Sequence, residues 1–277
     1  MTTIKTIFIT GCSSGIGYAT AEVLKKRGHR VICSARRRED VRRLIEEGFE
    51  CLLLDLADSN SIQNAVAELQ LLTGGKVDAL FNNGAFGQPG AVEDLSRDTL
   101  RYQFETNVFG THELTNLLIP MMRQQGGGRI IYNSSVLGFV AMKFRGAYNA
   151  SKYALEGLAD TLRLELRGSG IHVVLIEPGP ITSRFRQNAF ENYQKNIDPS
   201  VSVHRDTYRA MEERLQKPGP AAPFTLPATA VADKVVLALE SDRPKIRYAV
   251  TLPTHLFAVL KRILPSAWLD KILVSVE

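Results

Sequence analysis

Cysteine is scarce: Cys12, Cys33 and Cys51 are the only three in 277 residues. That excludes a disulfide framework and suits a reducing compartment. No stretch reaches the roughly 18 consecutive apolar residues that a spanning helix needs. No secretory leader precedes the first strand-like run, so a cytoplasmic location is expected. The five histidines, His29, His112, His172, His204 and His255, fall at no metal-ligand spacing, and no metal site is expected. Charge bias is also small. Lys and Arg number 34 against 29 Asp and Glu, a net charge of +5 that is scattered along the chain. A nucleic-acid footprint would gather on one face, so no nucleic-acid partner is expected. Internal repeats and low-complexity tracts are absent.

What is present is an ordinary globular composition, 44% apolar and 23% charged, which argues against disorder over most of the chain. Strand-length apolar runs at 4–10, 30–35, 51–54, 77–81, 129–132, 171–176 and 246–251 alternate with helical patterns at 15–27, 40–47, 59–72, 96–125, 146–167 and 228–240. This alternation predicts an α/β fold of doubly wound, Rossmann type. The expected sheet is largely parallel and seven-stranded, with helices on both faces. Val173-Val174-Leu175-Ile176 is apolar throughout, as a strand buried on both sides should be. The chain is read as one catalytic domain over 1–277. Between 180 and 227 no clear strand is predicted, and a segment that long suggests a substrate lid. Its Phe185, Phe190, Tyr193, Tyr208 and Met211 suit either an apolar substrate or packing within the lid. The tail, 253–277, mixes apolar and basic residues; it is read as packing on the protein or a neighbouring subunit, or as lying on a membrane surface. Pro265 interrupts any long helix there.

In such sheets, ligands sit beyond the carboxyl ends of the strands. The first strand ends in Thr10-Gly11-Cys12-Ser13-Ser14-Gly15-Ile16-Gly17, and a helix follows. Glycines allow the backbone to turn tightly and approach a phosphate, and the helix start favours an anion. The second strand ends at Ala35, followed by Arg36, Arg37 and Arg38. An acid at this point binds the ribose 2′-hydroxyl, whereas arginine accommodates a 2′-phosphate, so Arg36 favours NADP(H) over NAD(H). Arg37 and Arg38 are read as a solvated face.

Tyr148 and Lys152 stand four residues apart on a predicted helix, on one face. A nearby ammonium favours the phenolate over the free phenol, whose pKa is about 10. Such a tyrosine can exchange a proton with an alcohol or carbonyl. Ser135, with Ser134 as the competing candidate, ends the fifth strand, where a hydroxyl could bind the reacting oxygen. A triad hydrolase is disfavoured because no histidine is placed as an obvious base.

Together these motifs resemble the short-chain dehydrogenase/reductase family over nearly the full length. The family's turn matches Thr10 to Gly17, implying cofactor contacts from Gly11, Ser13, Ser14, Gly15, Ile16 and Gly17. Its aspartate at the adenine matches Asp55. Its Asn-Asn-Ala-Gly matches Asn82-Asn83-Gly84-Ala85, with Gly and Ala exchanged, so that Asn82 still matches. The catalytic asparagine matches Asn107, and the serine matches Ser135, since Gly138 and Tyr148 then fall at the family spacing. The Tyr-x-x-x-Lys pair matches Tyr148 and Lys152, which also contact the cofactor in the family. Pro178-Gly179-Pro180-Ile181-Thr182-Ser183 matches the segment at the nicotinamide, implying contacts from Pro178, Gly179, Ile181 and Ser183. Lys152 to Gly157 and Glu177 to Gly179 resemble the hydroxysteroid- and retinol-dehydrogenase-like branch and bacterial NADP-dependent aldehyde reductases.

The resemblance implies an NADP(H)-dependent oxidoreductase that reduces a lipophilic aldehyde or ketone, or oxidises the alcohol. In it Tyr148 is the proton donor. Lys152 lowers the tyrosine pKa and holds the nicotinamide ribose, and Ser135 polarises the carbonyl. Asn107 distorts its helix and holds a water. The family is usually dimeric or tetrameric, so a homo-oligomer is expected. An NADP-binding redox sensor or scaffold on the same fold is the rival reading, although such a protein would more readily lose Tyr148 or Lys152.

Overall fold

The computed structural model describes residues 3–220 and 222–275. Seven parallel strands form one sheet: β1 (Thr6–Ile9), β2 (Arg30–Ala35), β3 (Glu50–Leu53), β4 (Ala79–Asn82), β5 (Gly128–Asn133), β6 (Ile171–Glu177) and β9 (Arg247–Ala249). Their order is β3-β2-β1-β4-β5-β6-β9. The order reverses between β1 and β4, where Ile7 faces Ala79 and Ile9 faces Phe81. This is the doubly wound arrangement expected from the alternation of elements.

Alternate side chains of each strand enter different cores. Phe8, Ile32, Leu80, Ile130 and Val173 pack beneath helices α3 (Ser59–Thr73), α5 (Thr111–Gln124) and α6 (Gly146–Glu165). Ile7, Ile9, Cys33, Phe81, Ile131 and Val174 point the other way, toward α1 (Gly15–Lys26) and α9 (Thr229–Glu240). α1 buries Gly17, Thr20, Ala21 and Leu24, one stripe at helical spacing. Gly28, at φ 86, lets the chain leave α1 and turn back into β2. The short helix α2 (Arg38–Glu46) connects β2 to β3.

Two regions differ from the sequence expectation. The single helix predicted over 96–125 is divided into α4 (Arg97–Phe104), a π-helical turn (Glu105–Gly110) and α5. Such an insertion widens one turn and is frequent at functional sites. The expected strandless lid contains a two-residue parallel pair, β7 (Ile181–Thr182) with β8 (Leu226–Pro227). Between them lie helices α7 (Phe185–Asn196) and α8 (Arg205–Gln216). The lid has its own small core, in which Tyr193, Tyr208 and Met211 are buried, so these residues pack the lid. Phe185, by contrast, faces the cleft. The tail folds as α10 (Leu252–Ile263) and α11 (Ser266–Ser275), separated at Pro265. Phe257, Leu269 and Leu273 pack on Val136, Leu137 and Val140, so the inner face of the tail belongs to the main body. The last two residues of the predicted tail lie outside the described residues. Among the described residues no helix is long and apolar enough to cross a membrane.

Candidate active site

A cavity of about 670 Å³ opens beyond the carboxyl ends of β1, β4, β5 and β6. One end is walled by the glycine-rich turn and the other by the lid. At Gly11 the backbone adopts φ 72, and a Cβ there would lie 2.9 Å from Gly84 Cα. At Gly17 a Cβ would fall 2.3 Å from Gly11 O. The turn can therefore close on itself only with hydrogen at these positions. α1 starts at its end with no side chain capping its first amides. Free amides at a helix start suit a phosphate.

The turn is braced by Thr10, Asn83 and Asn133, to none of which the sequence assigns a role. Thr10 Oγ1 accepts from the amides of Asn83 (2.9 Å) and Gly84 (2.7 Å). Asn83 Nδ2 donates to Thr10 O at 2.8 Å and Gly11 O at 3.1 Å. Asn83 Oδ1 accepts from Asn133 Nδ2 at 2.9 Å, and Asn133 O accepts from Lys152 Nζ at 2.6 Å. A continuous chain of hydrogen bonds thus joins the turn to Lys152. The available signal was a polar residue closing each of two otherwise apolar strands. The exchanged Gly84 also has a role: a Cβ there would lie 3.0 Å from Leu56 Cδ1 and 3.2 Å from Thr10 Oγ1. A smaller residue lets β4 end tightly against Thr10.

Tyr148 and Lys152 both face the cavity from α6. The Ser135 hydroxyl faces the Tyr148 phenol and favours its ionised form, and it accepts from Leu137 N at 3.1 Å. Ser134 turns away, toward Gly138 and Glu156; a Cβ on Gly138 would lie 2.6 Å from Ser134 Oγ. Of the two serines, Ser135 is the one that meets the tyrosine. Burial pushes the Tyr148 phenol up to about 12, against the opposing pull of the Ser135 hydroxyl and the Arg145 charge. The expected lowering by Lys152 is not found. Its Nζ is engaged with Asn133 O, 5.7 Å from the tyrosine ring centroid. Burial pushes Lys152 itself down to about 8, with the Glu156 charge opposing. Phe185 of the lid meets Tyr148 edge-on, with ring centroids 5.2 Å apart.

Of the residues expected at the cofactor, Gly11, Ser13, Ser14, Gly15 and Ile16 line the cavity at the turn. Pro178, Gly179, Ile181 and Ser183 line it after β6. The other expected residues stand behind or beside it. Gly17 is buried beneath the turn. Asp55 accepts from Ala57 N at 3.0 Å and caps its own turn. Asn82 donates to Thr115 Oγ1 at 2.9 Å, leaving its buried Oδ1 without a partner. Arg36 is exposed after β2 and donates to Tyr102 Oη at 3.2 Å. Asn107 lies in the π-helical turn, with its amide clamped on Phe86. Nδ2 donates to Phe86 O at 3.0 Å and to Ser151 Oγ at 3.1 Å, and Oδ1 accepts from Phe86 N at 3.1 Å. Its side chain therefore positions a cavity loop and the residue next to Lys152. Among the described residues no group of His, Cys, Asp or Glu could hold a metal. Residues 5–194 match the short chain dehydrogenase family. The chain belongs to that family.

This short-chain dehydrogenase is similar to the "Uncharacterized oxidoreductase YbbO" of Escherichia coli K12, at 45% identity over 97% of this chain and 94% of the relative. It is 33% identical to an "NADPH-dependent 3-dehydrocapnine reductase" of Ornithobacterium rhinotracheale, over 95% of this chain and 94% of that protein. A crystal structure of a short-chain dehydrogenase from Streptomyces avermitilis superimposes with a TM-score of 0.76 at 29% identity, covering 98% of this chain and 94% of that one.

Below the site of this dehydrogenase lies an ion cluster. Arg247 reaches Glu156 (2.9 Å), Asp160 (2.8 Å) and Glu177 (3.0 Å). Burial, and next the Glu156 charge, push the Glu177 carboxyl up to about 7. Glu177 immediately precedes Pro178, whose carbonyl accepts from Val136 N at 2.8 Å. The cluster joins β6, α6 and β9, and the Val136–Pro178 bond joins the loops after β5 and β6.

Proposed function

We propose that this oxidoreductase uses NADP(H) to interconvert a lipophilic aldehyde or ketone and its alcohol. The observation that carries the reading is the Tyr148 phenol, set with Ser135 and Lys152 in one cavity that also takes in the glycine-rich turn. The site fits a dinucleotide: the turn tolerates no side chain at Gly17, and the first amides of α1 have no side-chain cap. When bound, NADP(H) supplies or accepts the hydride. Gly11 to Gly17 would hold its phosphates, and Arg36 its 2′-phosphate. Pro178, Gly179, Ile181 and Ser183 would hold the nicotinamide end. Asp55 and Asn82 support the walls around the adenine and β4. The NADPH dependence in the Ornithobacterium relative's name agrees with the role given to Arg36.

Tyr148, at about 12, holds its proton at neutral pH and donates it from Oη to the developing alkoxide. The Ser135 hydroxyl and the Arg145 charge favour the phenolate that remains. Ser135 also orients the carbonyl oxygen. Lys152 holds the ribose, steadied by Asn133 O. Asn107, in the π-helical turn, keeps the Phe86 loop against α6. Met142, Phe144, Phe185, Leu215 and Phe257 line the substrate end and favour an apolar chain. The decisive experiment follows loss of reduced-nicotinamide absorbance with a panel of aldehydes, ketones, quinones and steroids, using NADPH and then NADH. Turnover with NADPH is expected. Tight NADPH binding without turnover on any member would instead favour a sensor.

Other features support the remaining assignments. Leu100, Tyr102, Phe109 and Leu117 are exposed on α4, the π-helical turn and α5 and suit a homo-oligomer interface. On the tail, Leu252, Leu256, Val259 and Ile263 form an exposed stripe beside Trp268, with Lys261, Arg262 and Lys271 nearby. That combination suits peripheral contact with an anionic lipid surface, and flotation with anionic vesicles tests it. Three free cysteines suit the cytoplasm.

A further inference from the structure

Arg145 immediately precedes the first turn of α6, three residues before Tyr148. Its backbone is pinned from both sides. The carbonyl before it, Phe144 O, accepts from Gly90 N at 2.9 Å, and Arg145 O accepts from Asn149 N at 2.8 Å. Phe144 adopts φ 58, a left-handed conformation that side-chain-bearing residues seldom take. The lid region holds it there. The Phe144 ring packs edge-on against Tyr208, at 5.7 Å, and His204, at 5.3 Å. The outcome is that Arg145 turns inward. It lines the main cavity and also a side cavity of about 110 Å³ that it shares with Met142 and Arg214.

In that position the guanidinium is enclosed but poorly matched. Among the described residues no carboxylate stands within ion-pair distance of it, and its hydrogen bond runs from Nη1 to Met142 Sδ at 3.3 Å. A thioether is a weak acceptor. Its neighbour Arg214 is of like charge; burial first and then that charge push Arg145 down to about 10. Two other inward-facing arginines, Arg129 and Arg247, are well matched. Arg129 donates to Leu239 O at 3.0 Å and to Ser241 O, and Arg247 meets three carboxylates. An enclosed cation with unused donors is costly unless a ligand supplies the counter-charge. Strained backbone that aims such a group at a cavity marks function. Lowering the tyrosine pKa alone would leave most of the five donors of Arg145 unused.

We propose that Arg145 is an oxoanion subsite beside Tyr148. The substrate is an amphiphile whose carboxylate, sulfonate or phosphate group pairs with this guanidinium while its apolar chain runs toward Phe185 and Phe257. The carbonyl half of this statement rests on the oxidoreductase reading; the anion half does not.

Two measurements separate them. The first is calorimetric binding of decanoate, decanesulfonate and decanol to the protein saturated with NADP+. The anions should bind at least tenfold more tightly than decanol to the natural protein. Arg145→Met should erase that preference, and Arg145→Lys should keep part of it, since lysine retains charge but not the fork. Equal binding of decanol and decanoate to the natural protein overturns the proposal without recourse to any variant. So does a preference that survives in Arg145→Met. The second measurement is the ratio of kcat/KM for an ω-carboxylated aldehyde to that for decanal. The ratio should fall at least tenfold in Arg145→Met, mainly through KM, because any common effect on Tyr148 cancels. An unchanged ratio overturns the proposal. Anion preference in binding without turnover of either aldehyde supports the subsite and removes the oxidoreductase reading.

Discussion

Replacing Glu177 by glutamine should stabilise this protein at neutral pH, although it removes a residue from an ion cluster. The Glu177 side chain is only 5% exposed and accepts from Arg247 Nε at 3.0 Å. One guanidinium serves three carboxylates there. Burial and the nearby Glu156 raise Glu177 from 4.5 to about 7. A carboxyl raised by folding binds its proton more tightly in the folded chain. Its favourable contribution is full below about pH 4.5 and is lost progressively as pH rises to about 7. At about 1.36 kcal/mol per unit, the window corresponds to about 3 kcal/mol. Glutamine cannot ionise, keeps the volume and retains an oxygen for Arg247. Urea unfolding of both proteins at about pH 5 and about pH 8 measures the effect. The two should be nearly equal in acid, with the variant ahead by up to about 3 kcal/mol at the higher pH. A difference that stays constant across pH would refute the reasoning, because it would mean that Glu177 does not titrate in this window.

Other substitutions test the remaining parts. Tyr148→Phe should leave the fold and NADPH binding intact and lower turnover by about 10²- to 10⁴-fold, the usual range for a lost general acid; full activity would remove Tyr148 from its role. In the natural protein, kcat/KM for carbonyl reduction should fall as pH rises through about 8, where buried Lys152 loses its proton. A flat profile to about pH 10 would contradict a requirement for the ammonium. Arg36→Ala should weaken NADPH binding by roughly 10- to 100-fold, the scale of a lost charge-assisted contact, and leave NADH binding nearly unchanged; equal losses would argue against a 2′-phosphate contact. Gly17→Ala must displace the turn, since its Cβ would meet Gly11 O at 2.3 Å. It should cost about 1–3 kcal/mol of stability and abolish nicotinamide-cofactor binding by fluorescence titration.

The sheet was legible because a strand covered on both faces must be apolar at nearly every position, as in Val173 to Ile176. The glycine-rich turn was legible for a related reason. Gly11 and Gly17 stand where no side chain fits, so the constraint is written in residue type. Tyr148 and Lys152 were legible as a pair because one helix sets their spacing. Their electrostatics were not. Helical spacing places the ammonium near the phenol, but Asn133 O takes that ammonium, and burial rather than Lys152 governs the tyrosine. The lid was misjudged as strandless because β7 and β8 have only two residues each. Runs that short leave no periodicity to detect, and they form only because the ends of the lid meet.

By itself the sequence determined the alternation of strands and helices, the glycine-rich turn and the Tyr148–Lys152 pair, each set by local geometry within a few residues. Tertiary structure alone set the Lys152 ammonium on Asn133 O. It alone brought Glu156, Asp160 and Glu177 to Arg247, and it turned Arg145 inward without a carboxylate. These depend on contacts between residues distant in the chain, and on the burial that accompanies them. Burial sets the energy of a charge, and no residue's neighbours in sequence reveal how much of it folding will supply.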